Sequence, residues 1–301
     1  MATELEPIRE RVLARPDSRR PSNLRYFLYI LRHKPLGSLG FAIVGFIILI
    51  AIFADPIAPY TYQEQNYQAL KQAPNTTFYF GTDQFGRDIF SRVVHGARIS
   101  MMVGFLAVII GTGAGAVIGL ISGYFMGKLD ALVQRLVDMW MSFPDLILAL
   151  TIVAVFGNTI PNVILAIAAT ILPRGVRIIR SSTIGIREMD YTMAAVAIGA
   201  SSPRIILRHV MPNTVAPFLI IMSSMFGTAI LTEAGLSFLG LGISEPTPSW
   251  GRMLTGQAAQ YLSTSPWILI FPDIAITITV MGFAFAGDAL RDIFDPRQRG
   301  R

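Results

Sequence analysis

The sequence contains no cysteine among its 301 residues, and charged side chains make up only 15% of it. The first absence excludes a disulfide framework and any thiolate metal site. The second falls well below the roughly 25% usual in soluble domains. With 52% hydrophobic residues, it excludes an ordinary soluble fold. Histidine is scarce too: His33, His95 and His209 lie in different regions and offer no convergent ligand or acid–base set. No G-x-x-x-x-G-K-[ST] loop is present, and the nearest stretch, GYFMGK, is one residue short of that spacing. H-E-x-x-H and G-x-S-x-G are also missing. The expectation is a chain with no catalytic residue, no cofactor and no metal of its own. Nor does any basic groove carry interleaved aromatics, so the net charge of +6 is not the footprint of a nucleic acid partner.

What the sequence does have is a series of long apolar runs. A helix crossing about 30 Å of hydrocarbon needs about 20 mostly apolar residues. Pro35 to Ala54, Ile99 to Gly127 and Asn213 to Thr232 are uncharged windows of that size. Leu146 to Pro173 is uncharged as well, but the turn formers GNTIPN, Gly157 to Asn162, divide it, which predicts spans near 133–156 and 161–180. A last span, Pro266 to Gly287, carries only Asp273. The expected fold is all-α, a polytopic membrane protein with six spans.

Translocated loops are depleted of Lys and Arg. With a cytoplasmic N-terminus, 20 of the 25 basic residues fall on the cytoplasmic side and 5 on the other, so both termini are expected inside. The first 34 residues lack an apolar core with a small-residue cleavage site and do not read as a secretory signal. The organisation expected is a cytoplasmic segment 1–35, a six-span domain 36–290 and a cytoplasmic tail 291–301. Within the domain, outer loops are placed near 60–98 and 235–265, and a cytoplasmic loop near 181–212.

That cytoplasmic loop contains YTMAAVAIGASSPRIILRHVMPN, Tyr191 to Asn213, which reads as two short helices joined by a break. Glu188 to Ala200 is rich in helix formers, and Gly199 stands where a helix stop tolerates a left-handed residue. Ser202 is expected as the N-cap of the second helix, with Pro203 at its first position and Pro212 forbidding its continuation. A nine-residue helix of about 14 Å is too short to stand alone in water. It is expected to dock, either on lipid, with Arg204 and Arg208 toward head groups, or on a partner protein.

Ala194, Ala195, Gly199 and Pro212 resemble the EAA loop by which permease subunits of bacterial ABC importers contact their ATPases. Three further stretches narrow the family: FGTDQFGRDIFSRVVHGARIS, LSFLGLGISEPTPSWGRML and GDALRDIFDPR. Together they resemble the C-type permease subunit of the dipeptide, oligopeptide and nickel importer family, from about residue 24 to 297. The resemblance implies the type I importer permease fold and a bacterial inner membrane location. It also implies a heterodimer with a sister permease, two ATP-binding subunits that hold ATP and Mg, and an outer solute-binding protein. The coupling residues it implies are Glu188, Tyr191, Ala194, Ala195, Gly199, Pro203, Arg204, Ile205, Ile206, Arg208 and Pro212. In the first outer loop, Gly81, Thr82, Asp83, Gly86, Arg87 and Asp88 are implied to face the binding protein. Where the family's loop places glutamate, this chain has Met193.

Two rival classes compete with this reading. An ion-driven secondary transporter would work without ATPases, but its inverted repeats find no counterpart between spans one to three and four to six. A membrane enzyme would need a convergent set of acid, base or metal ligands, which the scattered histidines do not provide. Gly111, Gly115, Gly119 and Gly123 recur every four residues, a spacing for close helix packing. Trp250 is expected near head groups. Glu233 and Asp273 are read as structural, while Asp145 is left open between structure and function.

Overall fold

The computed structural model describes residues 35–255, 260–261 and 263–294. The expected N-terminal segment up to residue 34, and the part of the tail beyond residue 294, lie outside them. Among the described residues there is no strand, only an isolated bridge between Thr82 and Asp88. The helices are α1 (Pro35–Ile52), α2 (Ala54–Ile57), α3 (Ile89–Phe125), α4 (Gly127–Met141), α5 (Asp145–Phe156), α6 (Ile160–Arg187), α7 (Asp190–Ala197) and α8 (Ser202–Ile205). A π turn at Ile206–Val210 leads into α9 (Met211–Phe238), followed by α10 (Trp250–Met253) and α11 (Trp267–Phe294). Five helices are long and apolar enough to cross a membrane, and the bent pair α4 and α5 makes a sixth if it counts as one span.

The glycine stripe organises the core. A Cβ added at Gly111, Gly115 or Gly119 would sit 2.6, 2.6 or 2.5 Å from the carbonyl oxygens of Ala168, Leu172 and Val176 on α6. Both helices advance by the same four-residue step, so α3 and α6 run parallel with their backbones in contact. Parallel neighbours require the chain between them to return, and α5 does so beside the first half of α6, where Asp145 pairs with Arg174 and Asn162 donates to Phe156 O. The pairing of α1 with α11 has the opposite sense: Gly37 meets Ala289, and Gly40 meets Ala286.

Several boundaries differ from expectation. The predicted second span begins at Ile99, but α3 starts at Ile89, because Asp88 caps it by accepting from Ser91 N at 2.8 Å. Its 37 residues amount to about 55 Å, far more than a bilayer core. The predicted fourth span near 161–180 is α6, which runs on to Arg187. The predicted straight span 133–156 is instead broken by 87° between Met141 and Asp145. Pro144 disfavours helical dihedrals at Phe143, and that signal stands in the sequence. Pro212 does not end a helix. The π turn ahead of it, where Met211 N–H donates to Ile206 O, shifts the hydrogen-bond register, and the proline then occupies an early position of α9 that needs no donor.

Candidate coupling hairpin and the opposite cap

The hairpin grows from the end of α6. Thr192 Oγ1 donates to Ile186 O at 2.9 Å and ties the start of α7 back to it. At the end of α7, Gly199 has φ +78°, Gly199 N donates to Val196 O at 2.9 Å, and Ala200 N donates to Ala195 O at 3.1 Å. These two bonds form a Schellman stop with its apolar contact, Ala195 against Ala200. The helix that follows begins one residue earlier than expected. Ser201, not Ser202, is the extended cap residue, and it makes no side-chain capping bond.

Two faces result. Inward, Ala195, Ile205 and Val210 join Tyr124 of α3 and Ile186 of α6 in one buried cluster, with Ile206 packed against it. Outward lie Glu188, Tyr191, Ala194, Gly199, Pro203, Arg204, Arg208 and Pro212, all exposed. Ile205, expected at the ATPase contact, is therefore corrected to a core residue with 1% exposure. Ala195 is likewise internal, because the Schellman stop folds it under the turn. The outward face also holds Met189, Met193, Val196 and Leu207, and at its tip Ile198 is 85% exposed. Sequence reasoning missed Ile198, although its place before a left-handed glycine marks it as the apex of the turn. Among the described residues, neither Arg204 nor Arg208 has a carboxylate at ion-pair distance.

The opposite cap, between α2 and α3, corrects the second set of expected contact residues. Gly81, Thr82, Asp83, Gly86, Arg87 and Asp88 are all buried. Asp83 accepts from Phe85 N at 2.8 Å, Arg87 N at 3.0 Å and Arg87 Nε at 2.6 Å. Thr82 O accepts from Trp267 Nε1 at 3.2 Å, and the Thr82 hydroxyl donates to Ala69 O. These residues hold the cap together from inside because a loop with few apolar residues needs its polar groups paired. The large apolar side chains the cap exposes are Tyr67, Leu70, Tyr79 and Phe85. Beside it, the Arg98 guanidinium hydrogen-bonds Asp55 at 3.0 Å and holds that carboxyl below its usual value.

Trp250 is also relocated. It is 1% exposed, its indole donates to Val93 O at 2.9 Å, and it packs on Gly96, where a Cβ would lie 3.0 Å from the ring. Glu233 is buried under three serines: Ser237 donates to it at 2.8 Å, Ser100 at 3.3 Å, and Ser249 lies beside it. Asp145 pairs with Arg174 at 2.5 Å. Asp273 is exposed.

The family described as the inner membrane component of binding-protein-dependent transport systems matches residues 115–300. The N-terminal transmembrane domain of oligopeptide transport permease C matches residues 22–74. The chain is 43% identical over 272 residues to the dipeptide transport system permease protein DppC of Alkalihalophilus pseudofirmus, covering 89% of this chain and 88% of that one. It is 40% identical over 290 residues to the glutathione transport system permease protein GsiD of Escherichia coli, covering 96% and 95%. A solved chain of the methionine ABC transporter MetNI, in an inward-facing conformation, superposes with a TM-score of 0.56 at 18% identity, over 67% of this chain and 96% of that one. That last likeness concerns the fold alone.

Proposed function

This chain belongs to the family of inner membrane components of binding-protein-dependent transport systems, and from that premise we propose how it works and with what. It is a transmembrane permease subunit of an ATP-driven importer. It forms half of a translocation pathway with a sister permease and carries no chemistry of its own, since ATP and Mg are held by two partner ATPases. A binding protein delivers the solute on the side of the cap. Both termini and the hairpin lie in the cytoplasm. The solute is a peptide or a related small molecule, as in the dipeptide and glutathione transport systems to which the relatives belong.

The observation that carries this reading is the exposed apolar tip of the hairpin, Ile198 with Val196 and Met193, held on a Schellman turn at the end of α7. Apolar surface of that kind in water calls for a protein partner. ATP-driven closure of two such partners would pull on the hairpin and, through the cluster of Tyr124, Ile186 and Val210, on α3, α6 and α9 together. Met193 fits the same face: where the family's loop places a charge, this chain adds to the apolar patch.

Co-purification of the ATPase subunits at matched permease abundance tests the reading. Each Ile buried at an interface contributes about 1.5–3 kcal/mol, so Ile198→Ser should lower recovery about ten-fold or more. Equal recovery from wild type and variant would remove the hairpin from the ATPase interface. Single cysteines test the orientation, and the chain has no native thiol to interfere. Tyr67→Cys should react with an impermeant reagent in intact cells, and Ile198→Cys only after permeabilisation. The reverse pattern would invert the topology.

A further inference from the structure

The bent pair raises a question that a six-span reading leaves aside: α5 makes the return run beside α6 with only 12 residues, about 18 Å, shorter than the roughly 20 residues of an ordinary span. Its partner α4 turns away at 87°. We propose that α4 does not cross the membrane but lies in the plane of the leaflet on the hairpin side, with its apolar face in the acyl boundary and its cations on anionic lipid phosphates.

The side chains of α4 sort into three strips at 100° per residue. One strip, with Asp130, Gln134, Val137 and Asp138, faces the bundle. Asp130 accepts from Arg180 Nε at 2.6 Å, and Asp138 accepts from Arg177 at 2.5 Å. The ladder continues at the break, where Asp145 accepts from Arg174 at 2.5 Å. The second strip, Leu129, Leu132, Leu136 and Met139, is 44 to 61% exposed. An apolar face of that size with no protein against it matches the interfacial helices of membrane proteins.

The third strip fixes which way is up. Lys128 and Arg135 line one border of the apolar face, and Trp140 lies at the other. The Trp140 indole donates to Ala169 O at 3.1 Å. Ala169 lies eight residues before Arg177 on α6, about 12 Å toward the Ile160 end and so deeper into the bundle. Trp140 therefore points to the membrane interior, and Lys128 and Arg135 point to the hairpin side. Both acids of α4 are engaged by arginines of α6, which leaves the two cations as the charge that α4 offers outward. Anionic head groups complement that charge. The inference rests on the permease reading only for which leaflet is meant.

The test uses the assembled transporter in nanodiscs containing phosphatidylglycerol and phosphatidylcholine, with the partners' cysteines replaced. Nitroxide labels are placed at Leu132, Leu136, Met139 and Ala131. Labels at the first three should be reached by oxygen and not by a water-soluble nickel complex, while Ala131 should be reached by nickel. Labels immobilised and reached by neither would place this face against the sister permease and overturn the proposal, as would nickel access at all four. A fluorophore at Leu132 should be quenched more by brominated phosphatidylglycerol than by brominated phosphatidylcholine. That excess should be lost in a Lys128→Gln, Arg135→Gln double variant, and equal quenching in the parent would overturn the head-group contact. If the Ile198→Ser experiment fails while the oxygen pattern holds, only the ATPase reading falls.

Discussion

At one end of α3, Asp83, Arg87 and Arg92 are buried and share hydrogen bonds with the backbone of the cap; at the other end, Tyr124 supports a hairpin whose outward face is largely apolar. The cap keeps its Asp83 ion pairs inside, whereas the hairpin, among the described residues, pairs no charge internally and carries Arg204 and Arg208 on the same outward face as Met193, Val196 and Ile198. A loop of about thirty residues without regular helices can stay ordered only if its polar groups find one another, and Asp83 alone accepts three bonds. The hairpin satisfies its backbone within two short helices and one Schellman stop, which frees its side chains for a partner. Internal pairing thus suits a scaffold, and exposed apolar groups on a self-satisfied backbone suit the docking role proposed for the hairpin.

Substitutions can break this contrast. The largest effect is expected from Asp83→Ala, which leaves two buried guanidiniums, Arg87 and Arg92, without their shared carboxylate. Breaking a buried pair in this way costs about 3–5 kcal/mol. The permease should lose most of its membrane abundance and melt earlier in detergent, and normal abundance would show that the cap is not a charge-built scaffold. Gly199→Val is milder, because it forces a β-branched residue into φ +78°, at a cost of about 1–2 kcal/mol. Abundance should stay near normal while ATP-dependent uptake falls several-fold, and the opposite split would make the hairpin part of the folding core. The smallest effect is expected from Arg208→Ala. An exposed ion pair is worth about 0–1 kcal/mol, so ATPase recovery should fall less than five-fold, and clearly less than for Ile198→Ser. A larger loss would make the contact electrostatic rather than apolar.

Much of this molecule is legible in its residues. Apolar runs place the spans because hydrocarbon leaves a backbone few options, and a glycine every fourth residue announces a close helix contact before its partner is known. Gly199 declares a helix stop through its conformational freedom alone. The site residues read less well. Ile205 and Ile206 are adjacent and chemically alike, yet one is core and the other lines an open groove, and no property of the residues themselves separates them. The motif around Asp83 and Arg87 looks like a polar surface patch, and its burial follows only from the return of Trp267 and Glu245 to cover it.

What the sequence by itself determined is local: which segments are helical, which are apolar enough for a bilayer, where proline and glycine interrupt them, and which way the basic residues bias the chain. Each of these follows from neighbours a few residues apart. Tertiary structure alone decided which residue of a pair faces inward, that α4 lies against Arg177 and Arg180, and that Trp250 is a core residue. The physical reason is that these outcomes depend on partners 40 to 160 residues away, such as Val93 for Trp250 or Asp130 for Arg180, which are brought into reach only once the helices have packed.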